Sequence, residues 1–116
     1  MKIKFPTNSP LNIIDVAAAM TEMESDLEKS INAQQIHQTV GMQIMLIALD
    51  AKAELKRHTA PGPISVQVIK GSISFRTDET AHDLTSGQLL TLEGNIPHSV
   101  YGNESSIFLV TKSIPD

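Results

Sequence analysis

Apolar and polar positions alternate along this chain in two different rhythms. Toward the N-terminus, apolar side chains recur at Ile13, Val16, Ala17, Met20, Met23 and Leu27, the three-and-four spacing that lines one face of an α-helix. Asp15, Glu22, Glu24, Asp26 and Glu28 fall mostly on the other face. Ser9-Pro10 has the form of an N-cap followed by a proline in the first helical turn. The pattern therefore predicts one amphipathic helix over residues 11–23, with a methionine-rich packing face.

Beyond residue 30 the rhythm shortens. INAQQIHQTV, MQIMLIAL, SVQVIK, SISF, HDL, QLLTL, HSVYG and SIFLVTK are brief runs rich in β-formers. Between them lie TAPGP, Gly71, RTDET, Ser86-Gly87 and EGNIP, where proline fixes φ and glycine permits a bend. Short strands separated by turn chemistry at roughly regular spacing point to an antiparallel sandwich or barrel. The expected fold is all-β, a small barrel with one N-terminal α-helix. Residues 1–116 form a single domain in this reading, with residues 1–30 an extension carrying the helix and residues 31–116 the barrel. Closing the sheet, or pairing its edges in a homodimer, removes the edge strands that would otherwise template aggregation.

Composition narrows the function. The chain has 116 residues, 41% of them hydrophobic but only 3% aromatic, so its core is built from Ile, Leu, Val, Met and Ala. With no cysteine, disulfides, thiolate metal sites and a cysteine nucleophile are excluded. A net charge of −4, with scattered basic residues, argues against a nucleic-acid partner. The longest apolar run, residues 44–49, is too short to span a bilayer. MKIKFPTNSP lacks the apolar stretch of a secretory signal. The expected location is cytoplasmic, with no membrane partner.

The chemistry-bearing residues that stand out are His58, before the TAPGP turn, and His98, in GNIPHSV. Counting alternate positions, His58, Ala60, Ile64, Val66 and Val68 share one face, as do His98 and Val100. If both faces look inward, two imidazoles converge on an aliphatic pocket. Gln67 falls on the opposite face, as do Ser99 and Tyr101 relative to His98, so a Ser99–His98 nucleophile pair is excluded. His37 and His82 are read as surface residues, and Lys56 and Arg57 as a charged loop at the barrel mouth. No GXSXG elbow, phosphate loop or dinucleotide fingerprint is present.

From about residue 44 to 112 the chain resembles the cupins, and among them the small single-domain type. Their first motif reads G(X)5HXH(X)3-4E(X)6G. Here Gly71 closes it and His58 takes the first histidine place, while Lys52 stands for the leading glycine, Ala60 for the second histidine and Ile64 for the glutamate. The second motif reads G(X)5PXG(X)2H(X)3N. Gly87 opens it and His98 keeps its place, with Glu93 for the proline, Asn95 for the turn glycine and Gly102 for the asparagine. The resemblance implies a cupin-type double-stranded β-helix, or jelly-roll barrel, and a homodimer. In metal-binding cupins three His and one Glu hold the ion; two of those four positions are filled here, by His58 and His98.

Three readings of the pair follow. It is an incomplete metal site for Zn, Fe, Ni or Mn in an enzyme of the oxygenase or isomerase type. Alternatively, the rings are neutral and hydrogen-bond to each other, one donating and one accepting, or to water or backbone. Or, with no metal, they form the polar part of a small-molecule pocket. The two missing ligands favour a metal-independent binding barrel, with no cofactor expected.

Overall fold

The computed structural model describes residues 10–25 and 29–115. One helix, α1 (Val16–Glu24), is followed by nine strands: β1 (Ile31–Thr39), β2 (Met42–Leu49), β3 (Glu54–His58), β4 (Ile64–Lys70), β5 (Ser72–Thr77), β6 (Ala81–Thr85), β7 (Leu89–Leu92), β8 (His98–Gly102) and β9 (Ser106–Ser113). They form a five-stranded sheet, β1-β2-β9-β4-β7, and a four-stranded sheet, β3-β8-β5-β6. Neighbouring strands run antiparallel. This is an antiparallel barrel, as the strand pattern predicts, with the jelly-roll form that the resemblance to cupins implies.

The helix begins later than its periodicity suggests. Asp15, in extended backbone, accepts a hydrogen bond from the Ala18 N–H and caps the first turn. The expected cap Ser9 and the outermost apolar position Leu27 lie outside the described residues. Pro10 precedes the helix, and Ile13 is 89% exposed rather than part of the stripe. The inward face consists of Val16, Ala19, Met20 and Met23; Ala17 is exposed. A nine-residue helix is marginal alone, and packing on the barrel supports it.

That packing explains the unbroken apolar run of β2. Ile47 and Leu49 face the barrel interior, where they meet Val66, Val68, Phe75 and Phe108. Leu46, with Ile44 and Ala48 beside it, packs on the outer face with Ile36, Ile107, Ala19 and Met23. A strand covered on both sides has no reason to alternate apolar with polar.

Two positive-φ glycines test how tightly the turns are built. Gly71 has φ +92°, and a Cβ there would clash with the Ser105 carbonyl oxygen. Gly87 has φ +89° with open space around it. Gly71→Ala is expected to lose about 3 kcal/mol or more, from backbone strain plus a backbone clash. Gly87→Ala should lose only about 1 kcal/mol, from the left-handed backbone alone. Urea unfolding of the two variants checks this; equal losses would show that the β4–β5 corner yields easily.

Candidate functional site

His58 and His98 sit directly opposite each other on β3 and β8. Their meeting depends on an irregularity in β3. Leu55 pairs with Val100 and His58 with His98, so three steps on β3 match two on β8. Leu55 and His58 both line the same hollow. Strict alternation from Leu55 would have turned Arg57 inward and His58 outward. The extra residue reverses this. Arg57 instead reaches Asp78 through two hydrogen bonds, Nε to Oδ1 at 3.0 Å and Nη2 to Oδ2 at 2.8 Å. Lys56 and Arg57 thus lie on a strand, not in a loop. Hydrogen bonding to Arg57 holds the Asp78 carboxyl below its usual range.

The rings lie edge to face, with centroids 4.3 Å apart and planes at 61°. His98 is 4% exposed and stacks on Phe75 at 5.3 Å between centroids; His58 is exposed. His58 Nδ1 lies 2.7 Å from the Lys56 carbonyl and His98 Nδ1 lies 2.9 Å from the Ile96 carbonyl. A carbonyl only accepts, so Nδ1 carries the hydrogen on each ring and Nε2 keeps its lone pair when the ring is neutral. This corrects the expectation of a donor–acceptor bond between the two imidazoles. Two neutral rings of this tautomer present two acceptors and no ring donor to one another.

Burial is the main cause that lowers the His98 pKa below its usual value; the Ile96 carbonyl opposes it, and His58 and Lys112 add to the lowering. The proton would enter an apolar hollow already facing a lysine.

The hollow holds about 50 Å³. Of the side chains expected to line it, His58, Ala60, Ile64, Val66, His98 and Val100 do so. Val68 is fully buried in the same core but does not line the hollow. Sequence reasoning overlooked Ile47, Leu55, Phe75, Phe108, Val110 and Lys112. The signal was available: in SIFLVTK, alternate positions give Phe108, Val110 and Lys112 on one face. Lys112 pairs in register with Ile64, so their side chains emerge on the same face of the sheet. An ammonium therefore stands beside the place where the resemblance to cupins puts a glutamate.

These residues do not fit a metal ion held as metal-binding cupins hold it. Among the described residues no three His, Cys, Asp or Glu side chains gather into a possible metal group. Two imidazoles, aliphatic Ala60 and Ile64, and a nearby cation form a poor set for a divalent ion, which usually takes three or four protein ligands. Gln67 is exposed and offers no amide to the hollow.

The remaining candidates fall elsewhere. His37 is 4% exposed on β1, which corrects its reading as a surface residue. The β1 bulge between Gln35 and His37 lets both Ile36 and His37 enter the buried layer. His82 is exposed on β6. Tyr101 lies under the Arg76 guanidinium, 4.9 Å from its ring centroid. No described helix is long and apolar enough to cross a membrane.

Comparison with known proteins places the fold. No family model matches the chain, and no curated protein does either. Solved structures do match. A cupin superfamily protein from Desulfitobacterium hafniense superposes with a TM-score of 0.77 at 16% identity, covering 99% of this chain and 100% of the other. A conserved protein of unknown function from Streptococcus pyogenes gives 0.71 at 24% identity, covering 77% and 78%. An RmlC-like cupin from Shewanella frigidimarina gives 0.69 at 19% identity, covering 76% and 79%. The barrel has the cupin fold; at these identities the likeness is one of architecture.

The His98 environment predicts a pH dependence. Its pKa is lowered in the folded chain, so below the ordinary histidine value of about 6.5 the unfolded chain binds more protons. The His98 contribution to stability is therefore complete above that value and is lost as pH falls through the folded pKa. His98 should titrate below about 6.5 by NMR, and its midpoint should rise in His58→Ala, which admits water and removes a like charge. An unchanged midpoint in that variant would contradict the coupling.

Proposed function

We propose that this chain is a metal-independent, small-molecule-binding barrel of the cupin fold, with its site in the hollow under His58 and His98. The observation that carries this reading is the Ile64–Lys112 pair. Where a metal-binding cupin places a carboxylate, this chain has an aliphatic side chain and a cation beside it. An apolar hollow with a few convergent polar groups is the ordinary makeup of a ligand site. A volume near 50 Å³ admits only a small group, because each ordered water already needs about 10–15 Å³ on this scale. The ligand is therefore small, or projects a short arm inward.

A second reading has one observation in its favour. Both imidazoles are anchored at Nδ1 by a backbone carbonyl, which is how second-shell partners orient metal-ligating histidines. In that reading His58 and His98 bind Zn, Fe, Ni or Mn, with solvent or substrate completing the shell, in an oxygenase or isomerase.

Elemental analysis of untagged protein decides between them. The binding-barrel reading expects less than about 0.1 equivalent of any transition metal, before and after dialysis against Zn, Fe, Ni or Mn. Near-stoichiometric metal, lost in His58→Ala and His98→Ala, would establish the second reading. On the binding side, a screen of small fragments should shift the methyl signals of Ile64, Val66, Val100 and Val110, and Ala60→Phe, which fills the hollow, should abolish those shifts. Methyl signals that respond to nothing in such a screen would remove the case for a ligand site.

A further inference from the structure

The polar inventory of the hollow is short and lopsided. Three polar side chains line it, His58, His98 and Lys112, and no carboxylate does. The groups facing His98 are His58 from β3, Phe75 from β5 and Lys112 from β9. No ion pair between Lys112 and a carboxylate occurs among the described residues. Lys112 offers only donors, and a neutral imidazole bonded through Nδ1–H offers only an acceptor, at Nε2. The site therefore presents one cation and two acceptors over an aliphatic floor that includes Val66, Phe108 and Val110.

The complement of that set is a ligand with an anion, a hydrogen-bond donor and a short apolar end. Resting on the binding-barrel reading above, we propose that the hollow takes a short-chain hydroxycarboxylate. Its carboxylate pairs with the Lys112 ammonium, its hydroxyl donates to an imidazole Nε2, and its alkyl end enters the apolar floor. Burial orders these roles. His58 is exposed and Lys112 is partly so, whereas Val66 and Phe108 are shut away from solvent. The charged head thus stays at the rim, where its desolvation is least, and the alkyl group goes inward. The small volume limits that end to a methyl or ethyl group. A dicarboxylate would leave its second charge against the aliphatic lining, and an amine would face Lys112; both are disfavoured.

The test uses lactate as the probe, with lactamide and propionate as controls, followed by methyl and imidazole NMR shifts at about pH 7.5, above the ordinary histidine value. Lactate is expected to saturate the shifts of the Val66 and Val110 methyls. Lactamide, which lacks the charge, and propionate, which lacks the hydroxyl, should each bind at least about tenfold more weakly, since a polar site is left with an unpaired group. Lys112→Met should weaken lactate about tenfold or more while leaving lactamide unchanged, and Lys112→Arg should retain most of the affinity. If lactamide binds as well as lactate, and Ala60→Phe abolishes both, the hollow is a ligand site but the hydroxycarboxylate assignment is wrong. Lactate affinity unchanged in Lys112→Met overturns it equally. Should lactate produce no shift while other fragments do, the assignment fails and the binding barrel stands; if no compound shifts those methyls, both fail.

Discussion

One extra residue in β3 decides what the interior of this barrel presents. Hydrogen bonding to β8 holds Leu55 and His58 in fixed register with Val100 and His98, and strand geometry then dictates the direction of each side chain. Without the bulge a guanidinium would point into the hollow and His58 would point to water. With it, Arg57 is discharged onto Asp78 at the surface, and the two imidazoles become a cross-strand pair. The ring contact follows from that local geometry, whereas the lowered His98 pKa owes most to burial and its tautomer to the Ile96 carbonyl.

The interior so formed is costly in an instructive way. His98 is nearly sealed beneath Phe75, close to a second imidazole and a lysine, and nothing anionic lines the space to offset them. At the buried His98 position a purely structural core would do better with an aliphatic side chain, because buried polar groups stabilise only when fully partnered. The Nδ1 bonds to the Lys56 and Ile96 carbonyls satisfy half of each ring. Nε2 remains accessible on both rings, for neither is a buried atom without a partner. Departures from local consistency of this kind are expected where function, not packing, sets the residue.

The scaffold around the site is conventional in its energetics. One side of the five-stranded sheet closes on the barrel core, and on the other side α1 covers an apolar patch around Ile36, Leu46 and Ile107. Lys52 adopts φ 68° and Asn95 φ 64°, in the two places where the resemblance to cupin motifs called for glycine. Both positions thus hold the left-handed turn geometry without glycine. Asparagine tolerates that conformation better than lysine does, so Lys52 is the more strained of the two. Its N–H bonds to the Gly102 carbonyl at 2.7 Å, and the Gly102 N–H to the Ala53 carbonyl at 2.9 Å, which helps hold the turn.

By itself the sequence determined the all-β class, the strands other than β3, the helix ahead of them and the aliphatic part of the hollow. Those properties are written in local periodicity and in turn residues such as Pro61, Gly71 and Asn95, which act over a few positions. The pairing of His58 with His98 was legible only through likeness to a motif, since counting parity from His58 to Ile64 runs through a Pro-Gly-Pro turn that need not preserve it. Tertiary structure alone decided the bulge that aims His58, the burial of His37 behind its own bulge, and the placement of Lys112 beside Ile64. The first and third are matters of register between strands far apart in the chain and the second of register within the β1–β2 hairpin, and register is set by hydrogen bonds across the sheet that no local pattern encodes.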